Sequence, residues 1–161
     1  MKKLLFVLAM IVAAGCSQAQ NKNIKNLPVY SIVSAPDSAV RTPANLKKGL
    51  PVMIVYFSPD CGHCQQMMYE VKEHKGDFSK IQVVMITPVD YKLVKGFYRD
   101  FGLSGFPNFT VGTEGRSYKV LEYYGVKMTP YIAVYDRKHQ LIKAYDKAPK
   151  IKELAALVKK A

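Results

Sequence analysis

Apolar blocks separated by polar, turn-forming segments divide the chain beyond residue 28 into alternating strands and helices. Unbroken runs rich in β-branched and aromatic residues are typical of strands buried on both faces of a sheet, and residues 51–57 and 81–87 have this pattern. The pattern predicts strands at residues 30–33, 51–57, 81–87, 106–111, 130–135 and 140–145, and a turn-rich connection at 37–50. The first strand is expected at a sheet edge, and the last two form an antiparallel hairpin because only four residues join them.

Apolar residues at helical spacing predict helices at residues 64–75, 91–101 and 151–159, and a short helix is expected at 117–124. Their expected inner faces include Met67, Met68 and Val71 in the first helix, and Leu93, Val94, Phe97 and Phe101 in the second. The first helix lies between the two buried strands, which predicts a βαβ unit with parallel strands.

The first residues have the pattern of a secretory signal peptide. Lys2 and Lys3 precede an apolar run at 4–14, which is too short to span a bilayer as a stable helix. The run Ala13-Ala14-Gly15-Cys16-Ser17 resembles the lipobox of bacterial lipoproteins, which implies cleavage before Cys16 and lipidation of its sulfur. Ordinary cleavage after Ala19 is the alternative. We therefore interpret 1–19 as a signal peptide of one type or the other, 20–28 as a flexible tether and 29–161 as one domain.

Composition narrows the class of protein. Of 161 residues 49% are hydrophobic, which indicates a packed globule and not a disordered chain. The net charge is +12, but the lysines are dispersed and no basic cluster with interleaved aromatics is present, so nucleic-acid binding is not predicted. Only three cysteines occur: Cys16 in the leader, and Cys61 and Cys64 as a pair. An exported chain without cysteines for structural cross-links keeps this pair for its function.

The run Cys61-Gly62-His63-Cys64 has the spacing of a redox-active pair. Cysteines three positions apart on the first turn of a helix lie on one face, close enough to form a disulfide. The first cysteine is at the helix N-terminus, where unpaired N–H groups and the helix dipole favour a thiolate. Cys61 is therefore the predicted nucleophile, and Cys64, one turn further in, the predicted resolving thiol.

The two intervening residues are predicted to tune this chemistry. Gly62 allows close approach of a substrate backbone, and a positively charged His63 stabilises the thiolate and so makes the disulfide a better oxidant. Asp60 acts in the opposite direction, and a solvated His63 without any tuning effect is the alternative. No second CxxC or paired histidines follow, so we predict neither a metal site nor a cofactor.

Two motifs carry a resemblance to a known family. The run Phe57-Ser58-Pro59-Asp60-Cys61-Gly62-His63-Cys64 after a hydrophobic strand resembles the active site of the thioredoxin superfamily, in the spelling found in protein disulfide isomerases. The run Tyr124-Gly125-Val126-Lys127-Met128-Thr129-Pro130 resembles the superfamily's cis-proline loop. The resemblance implies that Pro130 is cis and that the Thr129 backbone pairs with an extended substrate chain.

The resemblance, which covers residues 29–161, also implies a fold. It is the thioredoxin-like three-layer α/β/α sandwich, with a central mixed sheet and helices on both faces. The extra strand and helix before the cis-proline loop resemble the TlpA-like branch of exported bacterial oxidoreductases. The chain departs from thioredoxins in having Val55 where they carry a buried acid, and Asp60 where they carry a tryptophan.

The resulting hypothesis is an enzyme, a thiol–disulfide oxidoreductase that exchanges disulfides with exported proteins in the periplasm or on the cell envelope. His63 favours the oxidase or isomerase direction, whereas the TlpA-like organisation favours reduction. Acting as a reductase requires a membrane or periplasmic redox partner. We expect a monomer. The alternative is a thioredoxin-like binding module or metal-handling scaffold without turnover, which would keep its role after both cysteines are replaced.

Overall fold

A single mixed sheet of seven strands forms the centre of the computed structural model, which describes residues 24–161. The strands are β1 Ile32–Ala35, β2 Val40–Arg41, β3 Val52–Tyr56, β4 Gln82–Thr87, β5 Phe109–Thr113, β6 Tyr131–Tyr135 and β7 Leu141–Tyr145. The helices are α1 Gly62–Glu73, α2 Tyr91–Asp100, α3 Lys119–Tyr124 and α4 Ile151–Lys160. Across the sheet the strands follow the order β2-β1-β5-β4-β3-β6-β7.

The middle of the sheet is built by its most apolar strands. Every residue of β3 is buried, because β4 and β6 flank it and helices cover its faces. β3 pairs with β4 in parallel and with β6 antiparallel, and β4 pairs with β5 in parallel. The predicted βαβ unit and the predicted hairpin of β6 and β7 are both confirmed.

Two apolar layers, one on each face of the sheet, hold the helices in place. Helices α1, α2 and α4 pack on one face through residues that include Met68, Phe97 and Leu154. Helix α3 and the segment before β1 pack on the opposite face, through residues that include Val120 and Ile24. The predicted three-layer α/β/α sandwich of thioredoxin-like fold is confirmed.

Several predicted strand positions are wrong. The first strand begins two residues later than predicted, and it is not an edge strand, because β2, inside the expected turn-rich connection, pairs with its outer side. The strand expected at 106–111 begins only at Phe109, since residues 106–109 form a turn in which the Phe109 N–H donates to the Phe106 carbonyl. The Asn108 amide fixes this turn by donating to the carbonyls of Phe78 and Ile81.

The observed helices differ from the predicted ones slightly in where they begin and end and in which residues they bury. Helix α1 begins at Gly62, two residues earlier than predicted, because Cys61 itself caps it. Leu93 of α2 does not face the core as predicted; it is 56% exposed, whereas Val94 and Phe97 are buried. The short helix predicted at 117–124 begins at Lys119.

The end of the predicted tether is part of the packed domain. Ile24 is buried, and the carbonyl of Lys25 accepts a hydrogen bond of 2.8 Å from the N–H of Leu141 in β7. Asn26 forms a bridge with Gln140, and its carbonyl accepts a 2.6 Å bond from the Tyr123 hydroxyl. Residues 24–28 therefore do not act as a tether. The predicted signal peptide and Cys16 lie outside the described residues.

Candidate active site

Cys61 is the N-cap of α1, directly after the turn that follows β3. The backbone N–H of Cys64 donates to the Cys61 Sγ at 3.3 Å, which satisfies one of the free N–H groups at the start of the helix. The sulfur therefore lies where backbone N–H groups and the helix dipole stabilise negative charge.

The surroundings of the two thiols shift their pKa values in opposite directions. Burial alone would raise the pKa of Cys61, but hydrogen bonds from the Cys64 thiol, the Thr129 side chain and the Cys64 and His63 backbones outweigh it, so this pKa lies below the ordinary cysteine value. Burial, together with the neighbouring Cys61 thiol, raises the pKa of Cys64 to about 12. The outer sulfur therefore ionises more readily than the inner one.

Cys64 lies in an apolar environment. It has no exposed surface and belongs to the core between α1 and the sheet, which also contains Phe57, Met67 and Met68. Val55, at the place where thioredoxins carry a buried acid, is buried in this same core and pairs with Met85 and Ile132 on the neighbouring strands. Apolar packing therefore takes the place of the buried carboxylate that thioredoxins carry near the resolving thiol.

The loop between α3 and β6 brings Thr129 and Pro130 to the redox pair. Helix α3 ends at Gly125, whose φ of 59° is a left-handed conformation that suits glycine. The chain then turns towards α1, and the Thr129–Pro130 peptide bond is cis. The Thr129 carbonyl lies 3.4 Å from the Cys61 Sγ and accepts its hydrogen bond when the thiol is protonated. Cys61, Cys64, Thr129 and Pro130 thus form one cluster.

Gly62 and His63 lie on the solvent side of this cluster. Both are exposed, and a Cβ added at Gly62 would meet no atom within 4 Å, so nothing here obstructs an approaching chain. His63 borders a cleft between α1 and the start of α4. Asp60, next to Cys61, is fully exposed, and its hydrogen bond from Ser58 lowers the pKa of its carboxyl.

Glu114 was not identified from the sequence. It follows β5 and is buried, and its carboxylate accepts hydrogen bonds of 2.9 Å from the Tyr56 hydroxyl and from the N–H of Val120. It thereby links the end of β3, just before the redox pair, to the first turn of α3, which leads into the Thr129–Pro130 loop. A glutamate in the polar run after a strand gives no sequence signal for this role, because its partners are 58 and 6 residues away.

A pair of cysteines at the start of the helix after a central strand, opposite a cis-proline loop, defines the class of thioredoxin-fold proteins with a CxxC site. The chain belongs to the family described as thioredoxin-like domain, which matches residues 42–161.

Two protein disulfide isomerases illustrate the likeness in sequence. The chain is 32% identical to protein disulfide-isomerase erp38 of Neurospora crassa over 113 residues, which are 63% of this chain and 30% of that protein. It is 27% identical to protein disulfide isomerase-like 2-1 of Oryza sativa over 109 residues, 65% of this chain and 30% of that one. The chain thus spans less than a third of the length of these curated relatives.

Solved structures show the same fold. A secreted disulfide oxidoreductase of Mycobacterium tuberculosis, homologous to E. coli DsbE, superimposes with a TM-score of 0.67 at 18% identity, over 82% of this chain and 96% of that one. At such identities the likeness establishes the fold alone.

Residues 24–161 contain neither a membrane-spanning helix nor a cluster of metal-binding side chains. None of the helices there combines the length and apolar character that a membrane crossing requires. In the same part of the chain, no three histidine, cysteine or acidic side chains gather into a group that could hold a metal ion.

Proposed function

We propose that the chain is a thiol–disulfide oxidoreductase that uses Cys61 as nucleophile and Cys64 as resolving thiol. The observation that supports this most strongly is the contrast between the two sulfurs: a partly exposed thiol of lowered pKa caps α1, and a fully buried thiol lies one turn beneath it. Such a contrast gives one thiol the reactivity to attack a substrate and reserves the other for the second step.

Reduction of a substrate on this proposal takes two exchanges. The Cys61 thiolate attacks one sulfur of a substrate disulfide, the S–S bond breaks, and the other substrate sulfur leaves as a thiolate. Cys64 then loses its proton and attacks the Cys61 Sγ, which forms the Cys61–Cys64 disulfide and releases the second substrate thiolate. Two electrons pass from the protein to the substrate, and the reverse sequence introduces a disulfide. The Thr129 backbone would hold the substrate chain beside Cys61.

The direction of transfer is set by the reduction potential. We expect a value between about −270 mV, typical of thioredoxin, and about −180 mV, typical of protein disulfide isomerase. A value near the upper limit would support an oxidase or isomerase, to which His63 contributes, and would contradict a dedicated reductase. A value near the lower limit would support a TlpA-like reductase served by a membrane or periplasmic electron donor.

Export is part of the same proposal. The leader pattern of residues 1–19 and the secreted character of the Mycobacterium tuberculosis relative support action on exported proteins outside the cytoplasm. Lipidation of Cys16 would tether the protein to a membrane surface. Mass spectrometry of the mature N-terminus distinguishes a lipidated Cys16 from a free Gln20, and Cys16→Ser should release the protein from membranes only in the first case.

Trapping of mixed disulfides tests the activity. Cys64→Ser retains the nucleophile and removes the resolving step, so it should accumulate disulfide-linked complexes with cell-envelope proteins that disappear on reduction. The double variant Cys61→Ser, Cys64→Ser is the matched control and should accumulate none. Absence of complexes in the single variant, together with failure of the wild type to reduce insulin, would refute the exchange mechanism and favour a binding module.

A further inference from the structure

A cleft beside the redox pair is not explained by the exchange chemistry. It has a volume of about 740 Å³ and opens on the face of the sheet that carries α3. One wall is the loop that precedes Thr129, with Lys127 and Met128; the other is the end of β7 and the turn after it, residues 143–149. Thr129, whose carbonyl contacts the Cys61 Sγ, directly follows Met128 in the chain, so this wall of the cleft ends one residue from the contact with the reacting sulfur.

The floor of the cleft is apolar and is completed by the N-terminal segment. Ile24, Tyr124 and Tyr131 line it, and all three belong to the apolar layer on this face of the sheet. Ile24 precedes residues 42–161, the part of the chain that matches the thioredoxin-like family. Its position is fixed by the hydrogen bond between the Lys25 carbonyl and Leu141. Ile24 thus completes the floor from outside the matched residues, whereas Tyr124 and Tyr131 belong to them.

The walls of the cleft carry an excess of positive charge. Lys127, Lys143 and Lys147 line it, against Asp146 and Glu153. Lys143 is neutralised by Glu153 at 3.0 Å, whereas Lys127 and Lys147 are exposed and form no ion pair within residues 24–161. The net charge, +12 for the full sequence and +10 once Lys2 and Lys3 are removed with the predicted leader, adds a long-range attraction for anionic partners.

The size and position of the cleft fit a polypeptide. An extended chain advances about 3.3 Å per residue, so a substrate segment paired with Thr129 would bring residues a few positions from its reacting cysteine to the cleft beside Met128. The apolar floor suits a large aliphatic or aromatic side chain, and the two unpaired lysines suit carboxylates. Met128, 66% exposed at the entrance, adds an adaptable apolar contact.

We propose that this cleft is a specificity site, which binds a substrate segment combining acidic residues with a large apolar residue close to the reacting cysteine. The inference depends on the proposed oxidoreductase function and names the class of polypeptide that the enzyme prefers. It assigns a binding role to Lys127, Lys147 and Ile24, which take no part in the exchange of disulfides itself.

The test compares rates of disulfide exchange with three substrates. Two are ten-residue peptides with one cysteine, linked as a mixed disulfide to a chromophoric thiol; one has glutamates and a leucine two to four residues from the cysteine, and the other has lysines in place of the glutamates. The third is the neutral bis(2-hydroxyethyl) disulfide, which is too small to reach the cleft. At low salt the reduced protein should react about tenfold faster with the acidic peptide than with the basic one.

Charge reversal identifies the residues responsible. The double variant Lys127→Glu, Lys147→Glu should lose most of this preference and retain its rate with the small disulfide. The double variant Arg137→Glu, Lys138→Glu is the matched control: it makes the same change in charge in the exposed turn between β6 and β7, at the far end of the hairpin. It should retain the preference for the acidic peptide.

Ile24→Ala tests the apolar floor, with Val29→Ala, at an 81% exposed residue of the same segment, as its control. Ile24→Ala should raise KM for the peptide containing leucine, and not for one in which alanine replaces it.

Equal rates with acidic and basic peptides, or equal effects of the two charge reversals, would overturn the inference while leaving the proposed function intact. Failure to react with the small disulfide would refute the proposed function itself.

Discussion

At the residue scale, the chemistry of this protein depends on how differently two sulfurs three positions apart are surrounded. Cys61 receives hydrogen bonds that stabilise its thiolate, whereas Cys64 is enclosed by apolar side chains that disfavour charge. Burial acts against ionisation at Cys61 too, but hydrogen bonds from Cys64 and His63 at the start of α1, and from Thr129, outweigh it and lower the pKa. The contrast therefore comes partly from the helix itself and partly from the packing around it.

The contrast predicts the pH dependence of alkylation. In the reduced protein, the rate at which iodoacetamide modifies Cys61 should rise with a midpoint below about 8.5, the value of an unperturbed thiol. Cys64 should stay unmodified up to pH 9, since its pKa is raised to about 12. Cys64→Ala removes the thiol hydrogen bond to Cys61 and should move the Cys61 midpoint upward.

The variant Cys61→Ala is the control for the buried thiol and should be alkylated only slowly at pH 9, because burial, the largest cause of the raised pKa, is retained. A Cys61 midpoint at or above 8.5 in the wild type would contradict this account of the nucleophile.

At the element scale, the site is formed by β3, α1 and the loop between α3 and β6. Glu114 connects β3 to α3, the helix that leads into this loop. Its carboxylate accepts from Tyr56 at the end of β3 and from Val120 in the first turn of α3. Helix α3 has only six residues, so its own backbone hydrogen bonds give it little stability. The position of the Thr129–Pro130 loop therefore depends on this buried carboxylate.

Glu114→Ala should lower the free energy of unfolding by about 1–3 kcal/mol, since it leaves the buried Tyr56 hydroxyl without its acceptor. It should also slow reduction of a peptide disulfide more than that of a small disulfide, because the loop that holds the peptide loses its support. Denaturant unfolding and the two exchange rates measure these effects. Glu122→Ala, at an exposed position of the same helix, should change stability by less than about 0.5 kcal/mol.

The contact between β5 and β1 has no room for a side chain at Gly112. A Cβ at this position would lie 2.9 Å from both the Ile32 Cδ1 and the Val33 carbonyl oxygen, and the latter is backbone that cannot turn aside. Gly112→Ala should therefore destabilise the protein by about 1–3 kcal/mol.

Gly96→Ala is the comparison, because Gly96 lies within α2 and an added Cβ there meets nothing within 4 Å. It should stabilise the protein by roughly 0.5–1 kcal/mol, the helical advantage of alanine over glycine. Equal effects of the two substitutions on thermal unfolding would contradict the close approach of β5 to β1.

At the scale of the whole molecule, the segment before β1 attaches the start of the domain to α3, β6 and β7, which lie far along the chain. Ile24 packs against α3 and β6 on one face of the sheet, and Lys25 and Asn26 hydrogen-bond to residues 140 and 141 at the start of β7. These contacts cover part of the exposed edge of β7, which would otherwise offer free backbone groups to another strand. The segment thus stabilises the domain as well as the cleft.

A chain that begins at Ile24 and one that begins at Pro28 should therefore differ in stability. Loss of residues 24–27 removes the 5% exposed Ile24 from the core and leaves the Tyr123 and Tyr135 hydroxyls without the carbonyls of Asn26 and Ile24. We expect the shorter chain to lose at least about 2 kcal/mol, the lower range for removing a buried aliphatic side chain. Identical denaturation midpoints for the two chains would show that the segment is only loosely attached.

Much of the fold and of the candidate site follows from local features of the sequence. The pattern of apolar positions predicts β3, β4, the hairpin and the helices α1, α2 and α4, because an unbroken apolar run and a helical stripe each fit one kind of buried element. The spacing of Cys61 and Cys64 fixes both sulfurs on the first turn of one helix. The resemblance of the loop around Pro130 to the superfamily's cis-proline loop correctly predicted the cis bond and the position of Thr129 facing the pair.

Contacts between distant residues decided the rest. The pairing of β2, the buried role of Glu114 and the docking of Ile24 all arise where segments far apart in the chain meet, and no short-range period encodes such contacts. The same is true of the burial that raises the pKa of Cys64, since it depends on what the fold packs around the sulfur. The sequence by itself determined the pair of cysteines and predicted the first as the more acidic, because both features are local to one helix start. Only the tertiary structure decided how deeply Cys64 is buried and which side chains and loops lie beside the pair, because these depend on contacts between distant segments.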